Sequence, residues 1–247
     1  MLSVLTNSSF NCQTSYAIET LDKKSIQSLA VKFDKLPTDP YIERGDRARR
    51  FSRFKVFGDQ SNGKLERLSH RCFFQSKTYN RLLGDVTREY EELDEFLVQL
   101  PAFQRAVLTF YEFCQLCALP NTVGVHQIRI STSNHQQGNP APEGIHQDGV
   151  DMVGILCVNR THIAGGETQL YSKQHSGVAF SKVLNPGELL VFNDRQFSHF
   201  TTSIEPTASE AGTRDVFVFT CPDMPFGSNR EEIVEKKTAD RERTTPC

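Results

Sequence analysis

Residues 151–192, DMVGILCVNRTHIAGGETQLYSKQHSGVAFSKVLNPGELLVF, hold four short apolar runs, DMVGILCV, ETQLYS, GVAFSKVL and ELLVF, separated by Gly, Pro and Asn. Runs of this length, bounded by turn-forming residues and lacking helical period, read as strands. VGVHQIRIS (123–131) precedes them, and FTTSI (200–204) and DVFVFT (215–220) follow. Successive short strands with no helices between them indicate an antiparallel sandwich or barrel, with any helices packed outside it. The paired glycines Gly165 and Gly166 suggest a tight turn into the next strand, where Glu167 or Gln169 could face a substrate.

The first 120 residues have a different texture. Segments 22–33 (Ile26, Leu29, Ala30, Phe33), 85–97 (Val86, Tyr90, Leu93, Phe96, Leu97) and 103–117 each present one apolar stripe at helical spacing. Between the first two, RARRFSRFKVF (47–57) and RLSHRCFFQ (67–75) alternate basic and aromatic residues as strands do. The cluster Arg47, Arg49, Arg50 and Arg53 could meet an anion, but a solvated strand face is expected for most of it, because long basic side chains cover apolar surface while keeping their charge wet. The organisation expected is one domain over 1–247: a helix-rich portion to about 120, a β core over about 121–221, and a charge-dense tail over 222–247.

A net charge of −2 gives no electrostatic reason to expect nucleic acid or an anionic membrane as partner, so a small or peptide-sized substrate is the default. The start, MLSVLTNSSFNCQTSY, has neither the basic lead nor the apolar stretch of a secretory signal, and no run of about 18 apolar residues occurs; a cytoplasmic location is expected. The seven cysteines are scattered and read as reduced core thiols. Cys114 and Cys117 form a CxxC on a helical face, with no second pair to complete a zinc site.

The chemistry concentrates in PEGIHQDGVD, where His146 and Asp148 stand two apart. In extended backbone, i and i+2 project to the same side, so an imidazole and a carboxylate can converge on one ion. His199 follows ELLVFNDRQFS at the border of another strand. Two histidines and one carboxylate match the facial triad of non-haem Fe(II) oxygenases, which leaves positions open for a chelating cosubstrate and oxygen. Arg214 opens the last apolar strand and shares a face with Val216, Val218 and Thr220, opposite Asp215, Phe217 and Phe219. If its face looks inward, it is a buried cation in need of a carboxylate, which a dicarboxylate cosubstrate would supply. An internal ion pair with Asp194, Glu188 or Glu205 is the competing reading. Among other candidates, Asp151 lies five residues from His146, which breaks same-side geometry; His162 and His175 fall in turns; His70, His126 and His135 read as surface or loop residues.

The order HxD, His, Arg within an all-β half resembles the 2-oxoglutarate/Fe(II) dioxygenases. More narrowly, GIHQDGVDMVGILCVNRTHIAGGETQLYS, GELLVFNDRQFSHFTTSIEP and TRDVFVFT resemble the bacterial subgroup of free-amino-acid hydroxylases that includes L-isoleucine dioxygenase, and RRFSRF is similar to an arginine and aromatic cluster in that group. The likeness covers about residues 45–221 in scattered blocks, densest over 144–220. It implies a mainly β fold with flanking helices around a double-stranded β-helix, or jelly roll, of cupin-like form. It implies His146, Asp148 and His199 as iron ligands, Arg214 as the anchor of 2-oxoglutarate, O2 as oxidant, and hydroxylation of an unactivated C–H bond of an amino acid with release of succinate and CO2. Asp148 fills the place a halide would need, which favours hydroxylation over halogenation. In many such enzymes a Ser or Thr two residues after the arginine helps hold the cosubstrate; here Val216 stands there, and Gln127 and Arg129 are the candidates for that role. A peptide or protein hydroxylase with an open groove would use the same residues. A non-catalytic cupin-like barrel is disfavoured, since the paired HxH with a following Glu and distal His is absent.

Overall fold

The computed structural model describes residues 10–11, 16–173, 177–207 and 210–225. His175 and most of the charged tail expected over 222–247 lie outside them. In chain order the elements are β1 (Tyr16–Thr20), α1 (Lys23–Gln27), a 3-10 turn (Ala30–Phe33), β2 (Arg47–Phe57), β3 (Lys64–Arg67), α2 (Glu95–Val98), α3 (Pro101–Leu116), β4 (Thr122–Thr132), β5 (Met152–Thr161), β6 (Ile163–Gly165), β7 (Glu167–Ser172), β8 (Val178–Val183), β9 (Glu188–Asn193), β10 (Phe197–Thr201), β11 (Ile204–Pro206) and β12 (Gly212–Cys221).

Seven strands form one sheet in the order β1-β9-β5-β12-β4-β2-β3, and a three-stranded sheet, β10-β7-β8, faces part of it. All neighbouring pairs are antiparallel. β6 and β11 make a further two-stranded ribbon. This is the mainly β architecture that the spacing of apolar runs predicts, with helices outside.

Period-two alternation sorts β12 between two cores. Phe217 and Phe219 turn toward α3, whose Phe103 and Phe110 rings lie 5.5 Å from them, centroid to centroid. On α3 the buried residues Phe103, Ala106, Val107, Phe110, Phe113 and Cys114 recur at helical spacing and form one stripe against the sheet. Gly154 on β5 makes room for this packing, because a Cβ there would sit 2.6 Å from the Phe110 ring. On the opposite face, Val153, Ile155, Leu190 and Phe192 meet Leu170, Phe180 and Phe197 of the smaller sheet. The cavity described below opens beside this second core.

Three expectations fail locally. Segment 85–97 is helical only over α2. Asp85 has φ of 64°, and Arg88 exchanges backbone hydrogen bonds with Phe73, so 85–94 runs largely outside helix and buries Arg88 and Tyr90. Segment 67–75 is a strand only at its start, since its chain leaves the sheet to cover the cavity, returning through the Phe73–Arg88 bridge. Segment 22–33 divides into α1 and the 3-10 turn. Among the cysteines, Cys72, Cys114, Cys157 and Cys221 are free, but Cys117, at the C-cap of α3, is disulfide-bonded, so the reduced reading does not hold for it.

Candidate metal and cosubstrate site

His146 is carried by a short segment that touches β10 at one point. His146 N donates to His199 O (3.0 Å) and His199 N donates to His146 O (2.8 Å), a reciprocal pair that sets the two imidazoles side by side, 4.2 Å between ring centroids. Asp148 follows two residues later on the same side. Its Oδ1 lies 3.7 Å from His146 Nε2 and its Oδ2 3.7 Å from His199 Nε2. One donor atom from each of the three falls within 4.8 Å of the others. This set of two imidazoles and one carboxylate suits Fe(II) and leaves one side open.

Several groups hold these donors in place. His146 Nδ1 lies 2.9 Å from Gly144 O; a carbonyl can only accept, so Nδ1 carries a proton and Nε2 is the nitrogen turned to the carboxylates of Glu143 and Asp148. Asp194, fully buried, accepts from the backbone N–H groups of Asp148 (3.1 Å), Gly149 (2.8 Å) and Val150 (3.2 Å), which fixes the turn after the HxD pair. Gln75 donates to Asp148 O (3.1 Å) and Oδ1 (3.4 Å), while its own Oε1 accepts from Arg88 and Asn80.

The electrostatics of the donors follow from burial and neighbouring charge. Burial opposes a charged His146, but Glu143 and Asp148 outweigh it and hold the imidazole above its ordinary value. His199 lies well below its ordinary value because it is buried and beside His146. Burial, reinforced by the charge of Asp148, pushes Asp194 up to about 7.

Arg214 shares the cavity with the three donors, together with Val216, Val218 and Thr220, so the face expected to look inward does so. It is 4% exposed, its Nη2 has no hydrogen-bond partner, and burial lowers its pKa to about 10, still charged at neutral pH. The competing internal ion pair is not formed: Asp194 is occupied by backbone amides, Glu188 pairs with Lys182 at 3.2 Å, and Glu205 accepts from Gln137.

Gln127 and Arg129 are corrected by the same alternation. Their β4 neighbours His126, Ile128 and Ile130 line the cavity, which leaves positions 127 and 129 on the other face. There Gln127 donates to Lys32 O, and Arg129 pairs with Asp215 (2.6 Å) and Asp34 (2.8 Å). His126, expected at the surface, is 3% exposed and lines the cavity; Glu167 and Gln169 bond to each other outside it. Asp151 pairs with Arg195 and His162 with Glu210, away from the triad.

Sequence reasoning missed Glu143, whose Oε1 lies 3.1 Å from His146 Nε2, and the network of Gln75, Asn80 and Arg88. Glu143 stands only three residues before His146, which was a usable signal. The network comes from loop residues whose approach to the site nothing in a periodic pattern announces.

The model of the family described as 2OG-Fe dioxygenase matches residues 30–220. This chain belongs to that family. Its cofactor is therefore Fe(II), its cosubstrate 2-oxoglutarate and its oxidant O2, and it is an enzyme of this type; a non-catalytic barrel no longer stands. Similar curated proteins are the L-isoleucine-4-hydroxylase of Bacillus thuringiensis, 25% identical over 70% of this chain and 74% of that one, and the 3(1)-hydroxy-L-isoleucine 4-dioxygenase of Pantoea ananatis (strain AJ13355), 22% identical over 84% and 83%. Among solved structures, a bsmA homologue from Methylobium petroleophilum PM1 is 25% identical, with a TM-score of 0.74 over 87% of this chain and 91% of its own. The jelly-roll core inferred from the sequence is the fold of these neighbours.

Proposed function

We propose that this 2OG-Fe dioxygenase hydroxylates an unactivated C–H bond of a free amino acid or close derivative, with Fe(II) held by His146, Asp148 and His199 and the distal carboxylate of 2-oxoglutarate held by Arg214. The observation that carries the reading is the buried Arg214, without a carboxylate partner among the described residues, in the same cavity as a two-histidine, one-carboxylate cluster. A desolvated guanidinium is stable only with a partner, and its planar fork matches a carboxylate. When bound, iron and 2-oxoglutarate supply the oxidising chemistry, and succinate and CO2 are released. The chain's own residues do the rest. Asp194 and Gln75 orient the Asp148 segment, the Gly144 carbonyl keeps His146 Nε2 aimed inward, and Ile128, Ile155, Val216 and Val218 wall the cavity with apolar surface that limits water.

An amino acid is favoured over a peptide because Phe73, Leu83 and Arg88, from the loop over 68–94, form part of the cavity wall and enclose it. The two curated relatives, both named for isoleucine or a hydroxyisoleucine, point the same way. The test is substitution of each donor. His146→Ala, Asp148→Ala and His199→Ala should each abolish Fe(II)-dependent succinate release while the thermal melt persists, since a metal site on a preformed barrel tolerates vacancy better than a structural zinc does. Full succinate production by any one variant would remove that residue from the set.

A further inference from the structure

Several other arginines among the described residues are neutralised: Arg47 meets Asp39, Arg50 meets Glu91, Arg53 meets Asp223 and Arg129 meets Asp215. Among the described residues three arginines are buried, Arg49, Arg88 and Arg214, and none of the three has a carboxylate within 4.0 Å. All three line the same cavity. Arg214 is accounted for by one carboxylate of the cosubstrate, which leaves two buried cations unexplained.

Their partners are neutral. Arg49 Nη2 lies 2.6 Å from His126 Nδ1, which must accept because a guanidinium only donates, and Nη1 reaches Tyr90 Oη at 3.5 Å. Burial and the charge of Arg49 hold His126 well below its ordinary pKa, so that imidazole stays neutral. Arg88 Nη2 donates to the amide oxygen of Gln75 at 2.8 Å. The Nε of both arginines is buried without a partner. Both guanidinia lie against Phe73, at 5.4 and 4.8 Å from its ring centroid, and Arg49 also lies 4.4 Å from that of Tyr90. These contacts orient two cations without discharging them.

Register separates this pair from Arg214. β2 lies beyond β4 from β12, with Arg49 opposite Ile128 and Ile128 opposite Val216. Arg49 is thus two strand spacings across the sheet from Arg214, about 10 Å, and two residues along it, about 7 Å. Arg88 is joined through Gln75 to Asp148. The pair therefore stands beside the candidate metal ligands but away from the cosubstrate anchor.

We propose that Arg49 and Arg88 form a second carboxylate subsite, which holds the carboxylate of the substrate. The proposal rests on the functional reading above and deepens it: the substrate must present a free carboxylate, so an amide or an internal peptide residue is excluded. Gln75 then couples acid binding to the segment that carries Asp148.

The test uses the full chain loaded without oxygen with Fe(II) and 2-oxoglutarate, so that nothing turns over, and reads binding by calorimetry. The probes are L-isoleucine and the other free L-amino acids, their primary amides, and 3-methylpentanoate, which has the isoleucine skeleton without the amino group. At least one acid should bind, with its amide weaker by roughly thirtyfold or more. Arg49→Met and Arg88→Met should each bind that acid as weakly as the amide, while the dissociation constant for 2-oxoglutarate, followed by charge-transfer absorbance, stays at the wild-type value. Arg49→Lys and Arg88→Lys keep a cation but not the fork, should recover part of the binding, and replace any methionine variant that lacks a melting transition. Acids and amides bound alike, no acid bound, wild-type affinity in both methionine variants, or loss of 2-oxoglutarate binding in either would each overturn the proposal. Absence of any 2-oxoglutarate charge-transfer band in the wild type would instead contradict the functional reading. Binding of 3-methylpentanoate but of no amino acid would keep the subsite and remove the amino-acid assignment.

Discussion

Arg214→Ala should weaken 2-oxoglutarate binding by about 2–5 kcal/mol, roughly thirtyfold to several thousandfold, while Fe(II) still binds. The upper part of that range applies because the side chain is 4% exposed and solvent screens the contact little. The same burial predicts an unusual companion effect. Among the described residues no carboxylate meets this guanidinium and Nη2 is unsatisfied, so its removal breaks no ion pair there and relieves an uncompensated charge. Stability without ligand should therefore be unchanged or higher, whereas affinity falls. Arg214→Lys should recover only part of the loss, because a point charge cannot reproduce the fork. The assay is titration of 2-oxoglutarate into the Fe(II) protein without oxygen, following the metal-to-ligand charge-transfer absorbance, beside a thermal melt of the metal-free variant. An unchanged dissociation constant would refute the reasoning and leave Arg214 as a structural residue.

Arg129→Met should have the opposite signature: it strands Asp215, 0% exposed, and should destabilise the fold by about 3–5 kcal/mol without altering 2-oxoglutarate affinity, as denaturant melts and the same titration would show. Asp194→Ala removes the acceptor of three backbone N–H groups behind Asp148 and should weaken Fe(II) binding by about 10–100-fold in an anaerobic metal titration; wild-type affinity would mean that the turn holds itself. Phe110→Ala, which empties a fully buried position between α3 and Gly154, should cost about 3–5 kcal/mol in urea unfolding while the iron and 2-oxoglutarate titrations of the folded protein stay normal.

Legibility tracked periodicity. β12 could be read residue by residue, because alternation with phenylalanines on one side and Arg214, Val216 and Val218 on the other leaves one arrangement against a core. α3 was legible from its stripe, and the HxD pair from its spacing. Position 216 shows the limit: Val216 carries no hydrogen-bonding group, and looking along β4 for a replacement selected Gln127 and Arg129, which alternation places on the wrong face. His126, one residue away, was the inward group, and its neutral partnership with Arg49 is a contact between strands that a single-strand pattern cannot show. The segment 85–94 misled for a related reason. Its apolar residues match a helical stripe, but the bridge from Arg88 to Phe73 and the left-handed Asp85 give the chain a different course. The basic run 47–53 does not form the solvated face expected of it: Arg47, Arg50 and Arg53 are partly buried and paired with Asp39, Glu91 and Asp223, and Arg49 is one of the buried cations that line the site.

The most direct measurement is the fate of isotopically labelled O2 when the Fe(II) enzyme turns over 2-oxoglutarate with each free amino acid, read by mass spectrometry of both products. One amino acid should emerge carrying a single labelled oxygen, with the other label in succinate and the two products formed in equal amounts; Arg214→Ala should lower both together. Succinate formed at one rate whatever amino acid is present, with no label in any of them, would contradict hydroxylation of a free amino acid at this site.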